Sequence, residues 1–310
     1  MLKLAALVGP TAVGKTEISL LLAQKIGGEI ISCDSMQVYK GMDIGTAKAS
    51  SEHLSRVAHH LINIVDPGVA FTVADYQQLA RAKIQDINRR GSIPILVGGT
   101  GLYYQSVVDN YDFFPMDSRQ AVRAKWEKMH DDKGLDYLYE QLLAIDKQYA
   151  LKIGGNDKKR IIRALEVYDL TGQPFSAVQT RNRNTYLLAA VGLYMDRIQL
   201  YARIEERVDK MIKEGLLDEV AQLREQGYDL SMNSMQALGY KQVYSYMEGM
   251  LTWDDMLNEI KRETRKFAKR QYTWFNKDKR IQWVNVGDYS DEILLIEKIC
   301  ELMEGQLQKV

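Results

Sequence analysis

The stretch "GPTAVGKT", residues 9–16, decides how the chain begins to fold: Gly9-x-x-x-x-Gly14-Lys15-Thr16 fits the phosphate-binding loop pattern in full. Its flanks agree with it. Leu2 to Val8 is an almost unbroken apolar run, as expected of a strand buried on both faces of a parallel sheet. Thr16 to Ile26 carries Ile18, Leu21, Leu22 and Ala23 at helical spacing. A strand, a glycine turn and a helix N-terminus in that order aim backbone N–H groups and the positive end of a helix dipole at one point. An anion belongs there, in the loop made by Gly9, Pro10, Thr11, Ala12, Val13 and Gly14. Lys15 reaches an outer phosphate, and the Thr16 hydroxyl is placed to hold a Mg²⁺ ion.

The whole chain sets wide bounds around that loop. Its 310 residues hold 41 Lys plus Arg and 41 Asp plus Glu, so net charge neither demands nor excludes nucleic acid; clustering decides the local potential. Two cysteines, Cys33 and Cys300, indicate no disulfide framework and a reducing cytoplasm. The N-terminus lacks the succession of a cleaved leader, and no run approaches the ~20 apolar residues of a membrane span. The expectation is a cytoplasmic protein with no membrane partner.

Strand and helix patterns alternate through the first hundred residues. Glu29 to Cys33 is a short apolar strand ending at Asp34, and Thr72-x-x-Asp75 is a capping pair for a helix running to about Arg89. Gly91 ends that helix, and Ile93 to Val97 forms a third strand with Pro94 near its start. This alternation predicts an α/β fold, a doubly wound parallel sheet flanked by helices that collects ligands at the C-terminal strand ends. Gly9, Asp34 and Gly98 all stand at such ends and should share one crevice. From Pro115 to Thr185 the pattern turns helical and charged, closing on a polar linker over residues 179–185, so residues 1–114 and 186–310 form the core around a helical insertion at 115–185. Leu187 to Tyr194 returns as a buried strand, Asp196 caps a helix through Glu214, and Arg280 to Val284 suits an edge strand.

Several residues carry candidate chemistry. Asp34 caps the next turn, or supports Mg²⁺ from a distance, or accepts a proton from a substrate above the phosphates. Ser35 and Gln37 follow it with hydrogen-bonding side chains, and Gln is a good bidentate partner for adenine. In "VGGTGLYY", residues 97–104, Thr100 is either a helix cap or a donor to a ligand oxygen in a second glycine turn. Residues 156–172 form a capped helix with Ile161, Leu165 and Tyr168 on one face; Lys158, Lys159, Arg160 and Arg163 lie outside it, as a solvated face or a phosphate grip. "KRETRKFAKRQYTWF", residues 261–275, joins Arg262, Arg265, Lys266 and Lys269 into one basic stripe followed by aromatics, which suits a polyanion with exposed bases. Arg203 and Arg207 lie one turn apart, and the four histidines have no metal-ligand spacing. The loop alone also fits a small-molecule kinase holding ATP, with Asp34 activating a hydroxyl.

Taken together, GPTAVGKT, DSMQVYKGMDIGTAK, LVGGTGLY, NDKKRIIRALEVYDLTG, RIEERVDKMI, LGYKQ and AKRQYTWF stand in an order and spacing that resembles the bacterial tRNA dimethylallyltransferases (tRNA isopentenyltransferases), from residue 4 to about residue 285. Asn63 stands where that family more often has Asp. The resemblance implies a P-loop NTPase-like sheet with an all-helical tRNA-binding insertion, acting as a monomer. The implied reaction moves a dimethylallyl group from dimethylallyl diphosphate to N6 of the adenosine 3′ to the anticodon, without nucleotide hydrolysis. It further implies Asp34 as general base, with Thr100 and Arg207 completing the diphosphate cradle. Ser35, Met36 and Gln37 would receive the target base beside Asp34 and Thr100. Arg123, residues 158–163 (Lys158, Lys159, Arg160, Ile161, Ile162, Arg163), and Arg265, Lys266 and Lys269 would grip the tRNA anticodon stem-loop. Separate approaches for diphosphate and tRNA would meet at Asp34.

Overall fold

The computed structural model describes residues 1–113, 119–178 and 185–307. The chain divides into two compact units, Met1–Val108 with Asn184–Val310, and Asp109–Arg183. Pro115 and the linker at 179–184 lie outside the described residues.

In the larger unit, β1 (Leu2–Val8) is followed by α1 (Lys15–Ile26), β2 (Gly28–Ser32), α2 (Ser51–Arg56), β3 (His59–His60), α3 (Val73–Arg89), β4 (Ile93–Gly98) and α4 (Gly101–Val108). The smaller unit holds α5 (Arg119–Ile145), α6 (Lys147–Ile153), α7 (Lys158–Thr171) and α8 (Phe175–Val178). The chain then returns through β5 (Tyr186–Tyr194), α9 (Arg197–Lys213), α10 (Leu216–Glu225), α11 (Tyr240–Met247), α12 (Trp253–Phe275), β6 (Gln282–Asn285) and α13 (Glu292–Leu307). All pairings are parallel, in the order β3-β2-β4-β1-β5-β6. β6 is an edge strand that begins two residues later than expected and ends one later, and β3 was not anticipated because two residues carry no periodicity.

The apolar run of β1 has a simple cause. Leu4, Ala6 and Val8 enter one core cluster with Ile31 and Leu96, while Ala5 and Leu7 enter the opposite cluster with Ile30, Ile95 and Val191. Alternate residues thus fill opposite faces, and helices cover both. Local signals behave as their chemistry dictates: Thr72 and Asp75 form a reciprocal capping box on α3, and the Asp196 side chain caps α9.

The smaller unit has its own core, with Trp126, Leu138, Leu142, Ile161, Ile162 and Leu165 buried together. Within α5, Gly134 adopts φ 83°, and the helix kinks there. Asp157 caps α7 and Gly172 closes it in a left-handed conformation.

Candidate active site

Because β4 lies between β1 and β2, three strand ends stand side by side. Val8 pairs with Gly98, and Ser32 pairs with Val97. The phosphate loop, the Gly98–Thr100 turn and the Cys33–Asp34 turn therefore emerge as neighbours, as the C-terminal edge of an open α/β sheet requires of a ligand crevice. Gly98 is needed for this closeness, since an added Cβ would collide with the Cys33 carbonyl. The Thr100 N–H donates to Cys33 O at 3.1 Å, and the Thr100 hydroxyl accepts the Ser35 N–H at 3.0 Å. Asp34 Oδ1 accepts the Met36 N–H at 2.9 Å.

The loop is electrostatically tense. Lys15 Nζ donates to the carbonyls of Gly9 (3.0 Å) and Pro10 (2.6 Å). Desolvation lowers its ammonium to about 7, Arg207 adds to the fall, and Asp34 and Cys33 oppose it. Desolvation also pulls the Arg207 guanidinium down, with Asp34 holding it up. Burial disfavours the charged form of both groups, with Asp34 their shared counter-charge, and a bound anion would favour the charged forms further.

Two cavities meet here. One, of about 530 Å³, is lined by Gly14, Lys15, Thr16, Gly98 and Gly99; from α9, Arg203, Arg207 and Lys210 face it at i, i+4 and i+7. The other, of about 360 Å³, is lined by Ser35, Met36, Thr100, Val208, Met211 and Leu238. Asp34, Thr11, Thr46, Arg207 and Phe267 line both. Thr100 and Lys15 thus open into different cavities, and Asp34 is common to them. Thr16 faces the first cavity from the start of α1, and its hydroxyl is the kind of hard oxygen donor that a Mg²⁺ ion takes.

The structure corrects some expected roles. Gln37 has its amide committed at both ends: Oε1 accepts from Ser32 Oγ at 2.9 Å, and Nε2 donates to the carbonyls of Thr46 (3.3 Å) and Ala47 (3.4 Å). It holds the 46–47 backbone against β2 while still lining the first cavity, so a bidentate grip on adenine would require these bonds to be exchanged. Ile161 and Ile162 are buried in the core of the smaller unit, because the apolar face of α7 is where they fall, so neither side chain can touch RNA. The basic stripe of α12 is less free than its charges suggest. Lys261 pairs with Asp209, Arg265 with Glu205, and Arg262 and Lys266 with Glu263, whereas no acidic partner is recorded for Lys269 among the described residues. On the smaller unit, Arg123 and Arg163 both pair with the buried Glu166, Arg160 pairs with Asp157, Lys158 lies 2.9 Å from His130 Nδ1, and Lys159 is exposed.

Some site residues were missed from sequence. Lys210 carried a signal, its spacing to Arg207, and Arg203, noted beside Arg207, was given no role. Glu219 accepts the N–H groups of Asp43 and Ile44 (both 2.8 Å) and Gly45 (3.2 Å), and Gln271 bonds two turns at once; neither has a local signature.

Fold and site together define a P-loop-like α/β protein whose anion cradle adjoins a second cavity across one carboxylate. A profile described as IPPT, IPP transferase, matches residues 37–278. The chain belongs to the IPP transferase family. A tRNA dimethylallyltransferase of Syntrophomonas wolfei subsp. wolfei is 65% identical over 99% of both chains, and one of Carboxydothermus hydrogenoformans is 51% identical over 96% of this chain and 95% of its own. Among solved structures, the full-length tRNA isopentenylpyrophosphate transferase of Bacillus halodurans superimposes with TM-score 0.76 at 42% identity, covering 100% of this chain and 98% of that one. A eukaryotic dimethylallyltransferase acting on tRNA superimposes with TM-score 0.82 at 28% identity, covering 98% and 80%.

Proposed function

We propose that this protein transfers a dimethylallyl group from dimethylallyl diphosphate to N6 of the adenosine 3′ to the anticodon of tRNA, releasing diphosphate, as a cytoplasmic monomer. The observation that carries this reading is the pair of cavities sharing Asp34, one lined by the phosphate loop and the other by Ser35, Met36 and Thr100. The phosphate loop is then a cradle for a leaving group.

The allylic C1–O bond breaks and its electron pair departs on the diphosphate, while positive charge spreads over the allyl system. Loop amides, Lys15 and Arg207 stabilise the negative charge where it accumulates. The Thr100 hydroxyl serves the bridging oxygen. A Mg²⁺ ion held by the Thr16 hydroxyl together with diphosphate oxygens would supply further charge neutralisation. The adenine amine forms the N6–C1 bond, and its proton passes to Asp34. Delivering the base requires unstacking it from the anticodon loop, at a cost of a few kcal/mol. Contacts from Arg123, Lys158, Lys159, Arg160, Arg163, Arg265, Lys266 and Lys269 to the stem-loop would offset that cost.

Unmodified tRNA, Mg²⁺ and labelled dimethylallyl diphosphate test this. Labelled adenosine next to the anticodon without ATP is expected; ATP consumption with a phosphorylated metabolite and unlabelled tRNA would establish the kinase instead.

A further inference from the structure

The hydrogen-bonded ladder between β1 and β4 ends at Val8 and Gly98, so the sheet does not fix how the two turns beyond it stand relative to each other. One side chain from α12 does. Gln271, 5% exposed, accepts the Thr11 N–H of the phosphate loop on Oε1 at 2.8 Å and donates from Nε2 to the Gly99 carbonyl at 3.0 Å. A neutral primary amide offers an acceptor and a donor side by side, which neither an apolar nor a charged side chain of this length does. Gly99 leaves room for it, since an added Cβ there would collide with Gln271 Nε2. On the same helix Phe267 lines both cavities.

We propose that Gln271 is a positioning residue that sets the spacing between the phosphate loop and the Gly98–Thr100 turn. The diphosphate held by the loop and the Thr100 hydroxyl then meet in one reactive arrangement. This rests on the transferase reading. Its loss acts on the chemical step rather than on tRNA capture, because a misplacement of about 1 Å costs on the order of 10²-fold in rate.

The test compares Gln271→Met, which keeps size and removes both bonds, with Gln271→Glu. The glutamate can accept from Thr11 but sets a second oxygen against the Gly99 carbonyl until it is protonated. Gln271→Met should lower kcat by roughly 10²-fold with the KM for tRNA unchanged. Gln271→Glu should be equally poor at pH 8, and its kcat as a fraction of wild type should climb as pH falls to 6. Taking the ratio to wild type at each pH removes whatever both proteins share, including the titration of Lys15 in the same cavity. A wild-type kcat in Gln271→Met, a ratio for Gln271→Glu indifferent to pH, or a raised tRNA KM at unchanged kcat would overturn the proposal. Inorganic pyrophosphate affinity supplies an independent arm, expected to weaken roughly tenfold in Gln271→Met and to recover in acid in Gln271→Glu. Should the wild-type protein transfer nothing, the functional reading falls, and that arm alone decides the clamp: loss supports it and unchanged affinity refutes it.

Discussion

Lys15 is held against its own loop, and the desolvation that lowers its ammonium to about 7 makes it a proton-coupled anion receptor. In the free protein at pH 8 it is mostly neutral; a bound pyrophosphate favours the charged form and raises the value again. Binding at pH 8 should therefore take up a proton, and the uptake should vanish below pH 6, where Lys15 is already charged. Calorimetry in buffers of different ionisation enthalpy measures this when repeated with sulfate, which does not itself titrate in this range; zero uptake of protons with sulfate at pH 8 would show that Lys15 stays charged in the free state. Cys33, next to Asp34, invites a different suspicion. Desolvation pushes its thiol up to about 12, and its Sγ lies 3.6 Å from Thr100 O, so it is no nucleophile. Iodoacetamide at pH 8 should leave Cys33 unmodified in the folded protein, as peptide mass mapping would reveal.

At the scale of elements, α12 and α7 each divide their charges between ion pairs and solvent. Arg265 and Lys266 already have carboxylate partners, so an RNA phosphate would have to displace Glu205 or Glu263, whereas Lys269 is free of acidic partners among the described residues. Lys269→Ala should accordingly reduce the slope of log K for tRNA against log salt by about 1. An unaltered slope would remove Lys269 from the interface. For α7, Ile161→Ala should destabilise the smaller unit by about 2–5 kcal/mol, the ordinary cost of emptying a buried site, as read by denaturant unfolding. The elements also show what the sequence could reveal. Gly14-Lys15-Thr16 and Gly98 to Thr100 were legible because a strand, a tight turn and a helix start are written within a dozen consecutive residues. Gln271 was not, since its partners lie 260 and 172 positions away, and a lone glutamine in a basic helix carries no mark of them. The protein partners of Gln37 were illegible for the same reason: its residue type suits adenine, and only the fold shows it bonded to Ser32 and the 46–47 backbone. Ile162 lay within the matched tRNA-gripping stretch, although only tertiary packing shows which way α7 turns.

At the scale of the molecule, a single carboxylate joins two cavities in the larger unit, while the smaller unit has a separate core and its own basic residues. Under the proposed reaction the donor's diphosphate and the acceptor base need no contact other than at the reacting atoms, and Asp34 would take the proton. Single-turnover transfer by Asp34→Asn, with pyrophosphate and tRNA affinities measured on the same preparation, tests this most directly. The account predicts a rate about 10²–10⁴-fold below wild type with both affinities retained. An undiminished rate would contradict it.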